Sequence, residues 1–200
     1  LYHYHLKYRF TMDEIRLLVD KSGTYREATV EDISKLNQLY ERTFSVYDGR
    51  ALRNRRKWLD WLEGTWSEGG KAYLLLESTG GEPEGYLFYH LENNTFKITD
   101  WAAISQKARF RLMQFAYQHR AQAEQVEWDA PLDDPFQYLL PVTKDRIFYL
   151  PFMTARIVNL QKLLPSLELP FEGRIIMEVK DSLVENNQGT FLWQIQNGMG

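Results

Sequence analysis

The sequence predicts a mixed α+β fold, because segments with a helical period are interspersed with segments that alternate every second residue. Apolar residues recur at helical spacing over 29–45, 52–66 and 105–120. Short apolar runs bounded by turn residues lie around these segments. The 200 residues include 6 Trp, 12 Tyr and 11 Phe. This aromatic content supplies a large core and argues against disorder.

The first predicted element is a strand that begins at the first residue of the sequence. Its apolar residues share one face at period two: Tyr2, Tyr4, Leu6, Tyr8 and Phe10. Neither an initiator Met nor a signal-like segment precedes them. We therefore expect the sequence to begin inside a larger protein.

Two helices follow, preceded by a short strand near Tyr25. The segment 29–32 resembles a capping box, in which the Thr29 side chain accepts a first-turn N–H. The helix that it starts is predicted over 29–45. The second helix, over 52–66, places four apolar residues on one stripe: Trp58, Trp61, Leu62 and Trp66.

The remainder of the domain is predicted as a strand meander, a buried helix and two strands around a short helix. Helix 105–120 is apolar nearly all round, which indicates burial on several sides. The predicted elements are strands at 72–76, 85–89 and 96–101, helix 105–120, strand 125–128, a helix near 133–140 and a strand near 152–158.

An antiparallel hairpin is predicted at the other end, over 174–179 and 191–195, joined by a polar link. Its apolar face carries Ile175, Met177, Val179, Phe191, Trp193 and Ile195. An isolated hairpin is marginal in water. Because no layer to cover this face is encoded here, we expect a fragment cut at both ends.

Composition excludes several classes of protein and site. The absence of cysteine excludes disulfides, thiolate metal sites and a Cys nucleophile, and it permits a cytoplasmic location, which we take as the default. No apolar run reaches the ~20 residues of a membrane helix. The net charge of −3 implies no nucleic-acid partner.

The C-terminal region carries the most specific motif. Met153, Arg156 and Asn159 stand in a Met-x-x-Arg-aliphatic-aliphatic-Asn segment, followed by Leu163-Leu164 and the 175–179 strand that closes on Asp181. With the element order, this segment resembles the Eis-type family of GNAT N-acetyltransferases. The resemblance implies a GNAT-like mixed sheet flanked by helices, followed by the start of a sterol-carrier-protein-like domain.

The resemblance also implies a division of the chain. Residues 1–20 would end an N-terminal GNAT domain, 21–158 would form a second GNAT-like domain without an acetyl-CoA loop, and 159–200 would begin a truncated C-terminal domain. Acetyl-CoA would bind to the N-terminal domain outside this chain, the catalytic acid and base would lie outside it too, and the protein would form a homo-oligomer.

One turn can be judged from its residues alone. GNAT domains hold the acetyl-CoA pyrophosphate at a Gly-rich turn before a helix, where free N–H groups receive the phosphates. The corresponding turn here, 102–108, contains no glycine, and none occurs between Gly85 and Gly173. We therefore expect no phosphate cradle at this turn.

Three residues are candidates for substrate binding. Trp58 and Trp61 could line the substrate pocket, although their i, i+3 spacing beside Leu62 is more often that of core residues. Asn159 stands where the family commonly has an Asp beside a polyamine-binding cavity. Its alternative role is capping the turn at 160–164. Arg156 is expected to be a buried structural cation.

Other polar residues favour structural roles. We expect a solvated helix start or a subunit contact at the basic run Arg50, Arg53, Arg55, Arg56 and Lys57. Positive charge at a helix start is unfavourable, which hints at partners for these side chains. His3 and His5 share a strand face without a third metal ligand at suitable spacing. The 133–134 aspartates are predicted to start a turn and a short helix.

The sequence thus predicts part of an acetyl-CoA-dependent N-acetyltransferase that acts on aminoglycoside-like amines or lysine side chains. This part would shape the substrate pocket and the oligomer contacts, and would be inactive alone. The alternative is a non-catalytic module that binds a lipid or a protein through the hairpin's apolar face.

Overall fold

The computed structural model describes residues 2–18, 20–47, 49–140 and 145–199. The strands are β1 (Tyr2–Thr11), β2 (Thr24–Glu27), β3 (Lys71–Leu76), β4 (Pro83–Glu92), β5 (Thr95–Ala103), β6 (Gln125–Ala130), β7 (Ile147–Thr154), β8 (Gly173–Val179) and β9 (Gly189–Ile195). The helices are α1 (Met12–Ile15), α2 (Ile33–Phe44), α3 (Arg55–Ser67), α4 (Gln106–Gln118), α5 (Phe136–Leu139) and α6 (Leu160–Leu163).

A seven-stranded mixed sheet contains the strands from β1 to β7 in the order β2-β3-β4-β5-β6-β1-β7. The predicted α+β class is therefore confirmed. The meander from β2 to β5 is antiparallel throughout. The β5 and β6 strands are parallel and pair over only three positions, from Thr95 opposite Gln125 to Lys97 opposite Glu127.

The N-terminal strand is an internal strand of this sheet. β1 is antiparallel to β6, with Leu6 opposite Ala130 and Phe10 opposite Val126. Contacts divide the chain into a unit spanning Tyr4–Pro151 and a second unit that contains the described residues 152–199. Alternation predicted this strand but could not name its partner. The assignment of residues 1–20 to the end of a preceding domain stays a prediction.

The sheet is covered on both faces, because side chains alternate across each strand. One apolar cluster packs α4 and α5 against one face of the sheet, where Leu6, Tyr8 and Phe10 of β1 are fully buried. The other cluster packs α2 and α3 against the opposite face around the buried Trp58. None of the helices that the structure describes is long and apolar enough to cross a membrane.

The last strand of the sheet begins earlier than predicted. β7 runs from Ile147 to Thr154, and Ala155 to Val158 are not in a strand, whereas the sequence predicted a strand near 152–158. Pro151 lies inside β7. Proline is tolerated there because β7 is an edge strand, whose outer N–H groups need no partner.

The second unit contains the predicted hairpin. β8 and β9 pair antiparallel with Ile175 opposite Trp193, which places the predicted apolar residues on one face. The other face is not uniformly polar: Ile176 lies opposite Leu192, and these side chains are 75% and 63% exposed.

Candidate functional site

An ion pair between Arg53 and Asp100 joins the segment before α3 to strand β5. The Arg53 Nη2 donates to Asp100 Oδ1 at 3.2 Å, and its Nη1 donates to the other carboxylate oxygen. The Tyr86 hydroxyl also donates to Asp100, at 3.2 Å. Both side chains of the pair are largely buried, with 15% and 10% exposure.

Three aromatic rings surround the same guanidinium. The Arg53 Cζ lies 4.1 Å from the centre of the Tyr40 ring, 4.8 Å from Trp58 and 5.2 Å from Trp61. These distances are within the range of cation–π attraction. We call the group formed by Tyr40, Trp58, Trp61, Tyr86 and Asp100 the Arg53 cage.

The walls of the Arg53 cage are themselves fixed. The Trp58 indole Nε1 donates to Asn37 Oδ1 at 2.9 Å, and the Tyr40 hydroxyl donates to the Ala51 carbonyl at 2.9 Å. Trp58 meets Tyr86 edge to face, with ring centres 5.7 Å apart. Each buried polar atom named here therefore has a partner, as a rigid site requires.

The charges in the cage shift its ionisation equilibria. Burial alone lowers the pKa of Arg53, but the Asp100 carboxylate outweighs this effect and raises the pKa above its usual value. Burial, followed by the charge of Asp100, holds the pKa of the Tyr86 phenol well above its usual range. Burial also raises the pKa of Tyr40. The guanidinium and both phenols thus keep their protons at neutral pH.

The structure brings Trp58 and Trp61 together around Arg53 and places Asn159 in the other unit. Trp58 is fully buried, as its core interpretation predicted, whereas Trp61 is 44% exposed. Trp61 is therefore not part of a buried apolar stripe on α3, although the sequence placed it on the same stripe as Trp58 and Leu62. Asn159 precedes α6, and its Oδ1 accepts from the Lys162 N–H at 2.9 Å, which is the predicted cap.

Three side chains of the basic run have acidic partners. Arg50 pairs with Glu41 at 2.9 Å, Arg53 with Asp100, and Arg56 with Asp60 at 2.9 Å. The expectation of a solvated helix start is correct for Arg55 and Arg56, but Arg53 is buried.

The start of α4 is capped by a side chain. Ser105 caps the helix, and its Oγ accepts the Ala108 N–H at 3.1 Å. The Arg109 and Arg111 guanidinium groups pair with Asp134 and Glu84 rather than facing a free anion site. Ser105 thus takes up one of the first-turn N–H groups that a bound phosphate would use.

The crevice between β5 and β6 is also filled. Ligands of open α/β sheets bind beyond the carboxyl ends of strands. Past the short β5–β6 pairing, the Trp101 indole Nε1 donates to the Asp129 carbonyl at 3.0 Å. Trp101 also stacks on Phe136, with ring centres 6.0 Å apart. Aromatic side chains of the chain itself therefore lie beyond this pairing.

Asp134 has a larger role than the predicted turn. It accepts the Phe136 N–H at 2.9 Å, as a helix start requires, and it also accepts the Tyr8 hydroxyl at 3.2 Å. Its side chain is 1% exposed and pairs with Arg109. Burial, followed by the charge of Asp134, raises the pKa of Tyr8. This network ties β1 to α4 and α5.

Arg156 is exposed, whereas the sequence predicted a buried structural cation. Its side chain is 46% exposed and pairs with Asp181 beside a cleft of about 290 Å³, which Leu160 and Asn187 also line.

The described residues form no group of metal ligands. The His5 imidazole lies 3.4 Å from the Asp129 carboxylate. Within the described residues, no three His, Asp or Glu side chains are grouped as metal ligands would be.

The polar half of the cage was not predicted from the sequence. Tyr86 and Asp100 lie on paired strands, but Asp100 is 47 positions from Arg53. An acidic residue in a strand that is otherwise apolar around Trp101 was the one available hint. Only the packing of α2 and α3 on this face brings the groups together.

The sheet order, the flanking helices and the strands that diverge before α4 define a GNAT-type domain. A model of the acetyltransferase (GNAT) domain family matches residues 49–157, more than half of the chain. The chain therefore belongs to the GNAT acetyltransferase family, whose members in general use acyl-CoA.

Solved structures share this fold over nearly the whole chain. A probable N-acyltransferase from Enterococcus faecalis has a TM-score of 0.83 at 21% identity, over 99% of this chain and 51% of its own. A GCN5-related N-acetyltransferase from Anabaena variabilis has 0.70 at 24% identity, over 98% and 52%. Eis1 from Mycobacterium abscessus has 0.59 at 19% identity, over 96% and 51%.

These identities support similarity of fold alone. The chain spans about half the length of the structures that it matches. No curated protein matches the sequence.

Proposed function

We propose that this chain is part of an Eis-type N-acetyltransferase, in which it shapes the substrate pocket and supplies oligomer contacts. The observation that supports the proposal is a GNAT domain in which the Trp101 indole binds the Asp129 carbonyl beyond the β5–β6 pairing and Ser105 caps the start of α4. We take both contacts as unfavourable for a CoA ester at this place. We infer that a GNAT domain which does not bind acetyl-CoA itself works together with a second domain that binds acetyl-CoA.

The domain division follows the same reasoning. Residues 21–158 would form the second GNAT-like domain, completed by β1, and 159–200 would begin the C-terminal sterol-carrier-protein-like domain. Bound acetyl-CoA supplies the thioester that a neutral amine attacks. None of the residues described here is assigned to the proton transfers, which belong to the domain that binds acetyl-CoA.

Trp61 is the residue that we propose for substrate contact within this chain. Its indole is half-exposed and backed by Arg53, so one ring face is held while the ring remains accessible. Trp58 supports it from the core. Asn159 would contribute a neutral amide where the family commonly has a carboxylate, which would weaken the attraction for polyamines.

The test is an acetylation assay on the longer protein, with acetyl-CoA and a panel of aminoglycosides, polyamines and lysine peptides. We expect turnover of at least one amine, and W61A should lower kcat/KM roughly tenfold, about 1.4 kcal/mol. The matched control is Y138A on α5, because Tyr138 is 81% exposed. Absence of turnover across the panel, or equal loss in both variants, would refute the proposal.

A lipid-binding module is the second candidate. The sequence predicted binding through the face of Ile175 and Trp193. On the opposite face, the exposed pair Ile176 and Leu192 supports this candidate, because two large apolar side chains lie opposite each other in water. Vesicle flotation would decide this case: co-flotation that is lost in I176E/L192E favours the module, whereas absence of flotation by the unmutated protein opposes it.

A further inference from the structure

The Arg53 cage has the chemistry of a cation-binding site. Electron-rich faces from Tyr40, Trp58 and Trp61 surround one point, and a single carboxylate, Asp100, lies beside it. Aromatic rings with one acidic group are a recurrent means of binding guanidinium and ammonium groups. The group that occupies the cage belongs to the chain itself.

The residues of the cage lie on helices and strands, whereas Arg53 lies on a loop. The five residues of the cage lie on α2, α3, β4 and β5, which are packed elements of the domain. Arg53 comes from the segment 50–54, which has no regular secondary structure. The guanidinium thus enters the cage from a loop, as a separate ligand would.

The cage can be reached from solvent. Trp61 is 44% exposed, and the Arg53 side chain retains 15% of its surface. The inner wall is closed, since Trp58 is fully buried and its Nε1 is bound to Asn37. A ligand would therefore approach along the Trp61 side.

Exchange of one cation for another would preserve the local charge balance. Without a cation, the Asp100 carboxylate would stay largely buried, with the Tyr86 hydroxyl as its remaining partner among those described here. An unpaired buried charge is strongly unfavourable. The cage therefore requires a cation, which Arg53 or a ligand can supply.

We infer that Tyr40, Trp58, Trp61, Tyr86 and Asp100 form a binding site for a guanidinium or primary ammonium group, in which Arg53 is a displaceable internal occupant. Arg53 competes with any external cation. A tethered group acts at a high effective concentration, in the millimolar range or above. Removal of the Arg53 side chain should therefore strengthen binding roughly tenfold or more.

The experiment is a titration of the full chain with methylguanidinium chloride, without acetyl-CoA. The Trp indole N–H resonances report which of the six Trp residues is affected. N-methylurea is the neutral ligand of the same shape, and sodium chloride controls for ionic strength. Because no acetyl transfer is measured, the outcome is separate from that of the acetylation assay.

We expect saturable shifts of the Trp58 and Trp61 resonances in the unmutated protein and at least tenfold tighter binding in R53A. The control R55A removes the same charge from an exposed position and should bind like the unmutated protein. The double variant R53A/D100N should lose binding. R53Q, which keeps a polar side chain of similar length, replaces R53A if R53A does not fold.

Three results would overturn the inference. The first is a folded R53A or R53Q that binds methylguanidinium no tighter than the unmutated protein does. The second is binding of N-methylurea with the same affinity as methylguanidinium, which would show that positive charge is not required for binding. The third is the absence of any saturable shift at Trp58 and Trp61 in the unmutated protein, which would make Arg53 a fixed structural residue.

Discussion

Arg53 and Asp100 show what a buried ion pair requires of its surroundings. Removing two charges from water is costly, and their attraction offsets this cost only with good geometry and further hydrogen bonds. Here Asp100 accepts from Arg53 and from Tyr86, while the Tyr40 ring lies 4.1 Å from the guanidinium carbon. The pair is therefore more sensitive to loss of one partner than a surface pair would be.

Replacement of Asp100 by asparagine should destabilise the protein by about 3 kcal/mol, because it leaves a buried guanidinium without its anion. Urea denaturation monitored by Trp fluorescence measures this change. The control D60N breaks the exposed Arg56–Asp60 pair and should cost about 0.5 kcal/mol or less. Equal effects of the two substitutions would contradict the prediction.

At the scale of elements, the link between β8 and β9 is organised by one carboxylate. Asp181 accepts the backbone N–H groups of Leu183 and Val184, both at 2.9 Å, and the Asn187 amide at 3.3 Å. Asn187 in turn donates to the Ile157 carbonyl at 2.7 Å and accepts the Leu160 N–H. The polar link that the sequence predicted is thus an ordered loop.

These hydrogen bonds predict a pH dependence. The backbone donors Leu183 and Val184 are the main cause that lowers the pKa of Asp181 to about 2. The unfolded value is about 3.9, so the stabilisation is complete above it and is lost as the pH falls through the folded pKa.

Carboxyl chemical shifts should give Asp181 a midpoint near 2. D181N should flatten the fall in stability between about pH 4 and pH 2. E178Q, which changes an exposed acid on β8, should leave that slope unchanged. A midpoint near 4 for Asp181 would contradict the prediction.

At the scale of the whole molecule, β1 is the strand on which the sheet depends. It lies between β6 and β7, and it buries Leu6, Tyr8 and Phe10 completely. Each such side chain contributes roughly 1.5–3 kcal/mol of hydrophobic free energy. Together they amount to a large part of the net stability of a typical domain.

Deletion of residues 1–11 should therefore abolish cooperative unfolding of the Tyr4–Pro151 unit, measured by near-UV circular dichroism on heating. Deletion of 189–199, which removes β9 from the other unit, is the control and should leave that transition in place. A cooperative transition that survives the first deletion would show that β1 is dispensable.

Local patterns in the sequence were sufficient to predict most elements. Period two predicted β1, β8 and β9, and helical spacing predicted α2, α3 and α4 within a few residues. The absence of a phosphate cradle at the glycine-free turn before α4 stays a prediction, and Ser105 caps the helix there. Such patterns record which side chains a local segment must bury, and they need no knowledge of its neighbours.

Tertiary packing alone decided where β1 lies and what surrounds Arg53. Strand alternation is the same whichever strand pairs with it, so the sequence could not place β1 between β6 and β7. Arg53 belongs to a basic run that suggests a solvated surface, yet Tyr86 and Asp100, far along the chain, draw it into the core. The sequence determined the elements, and the contacts between distant residues determined the cage.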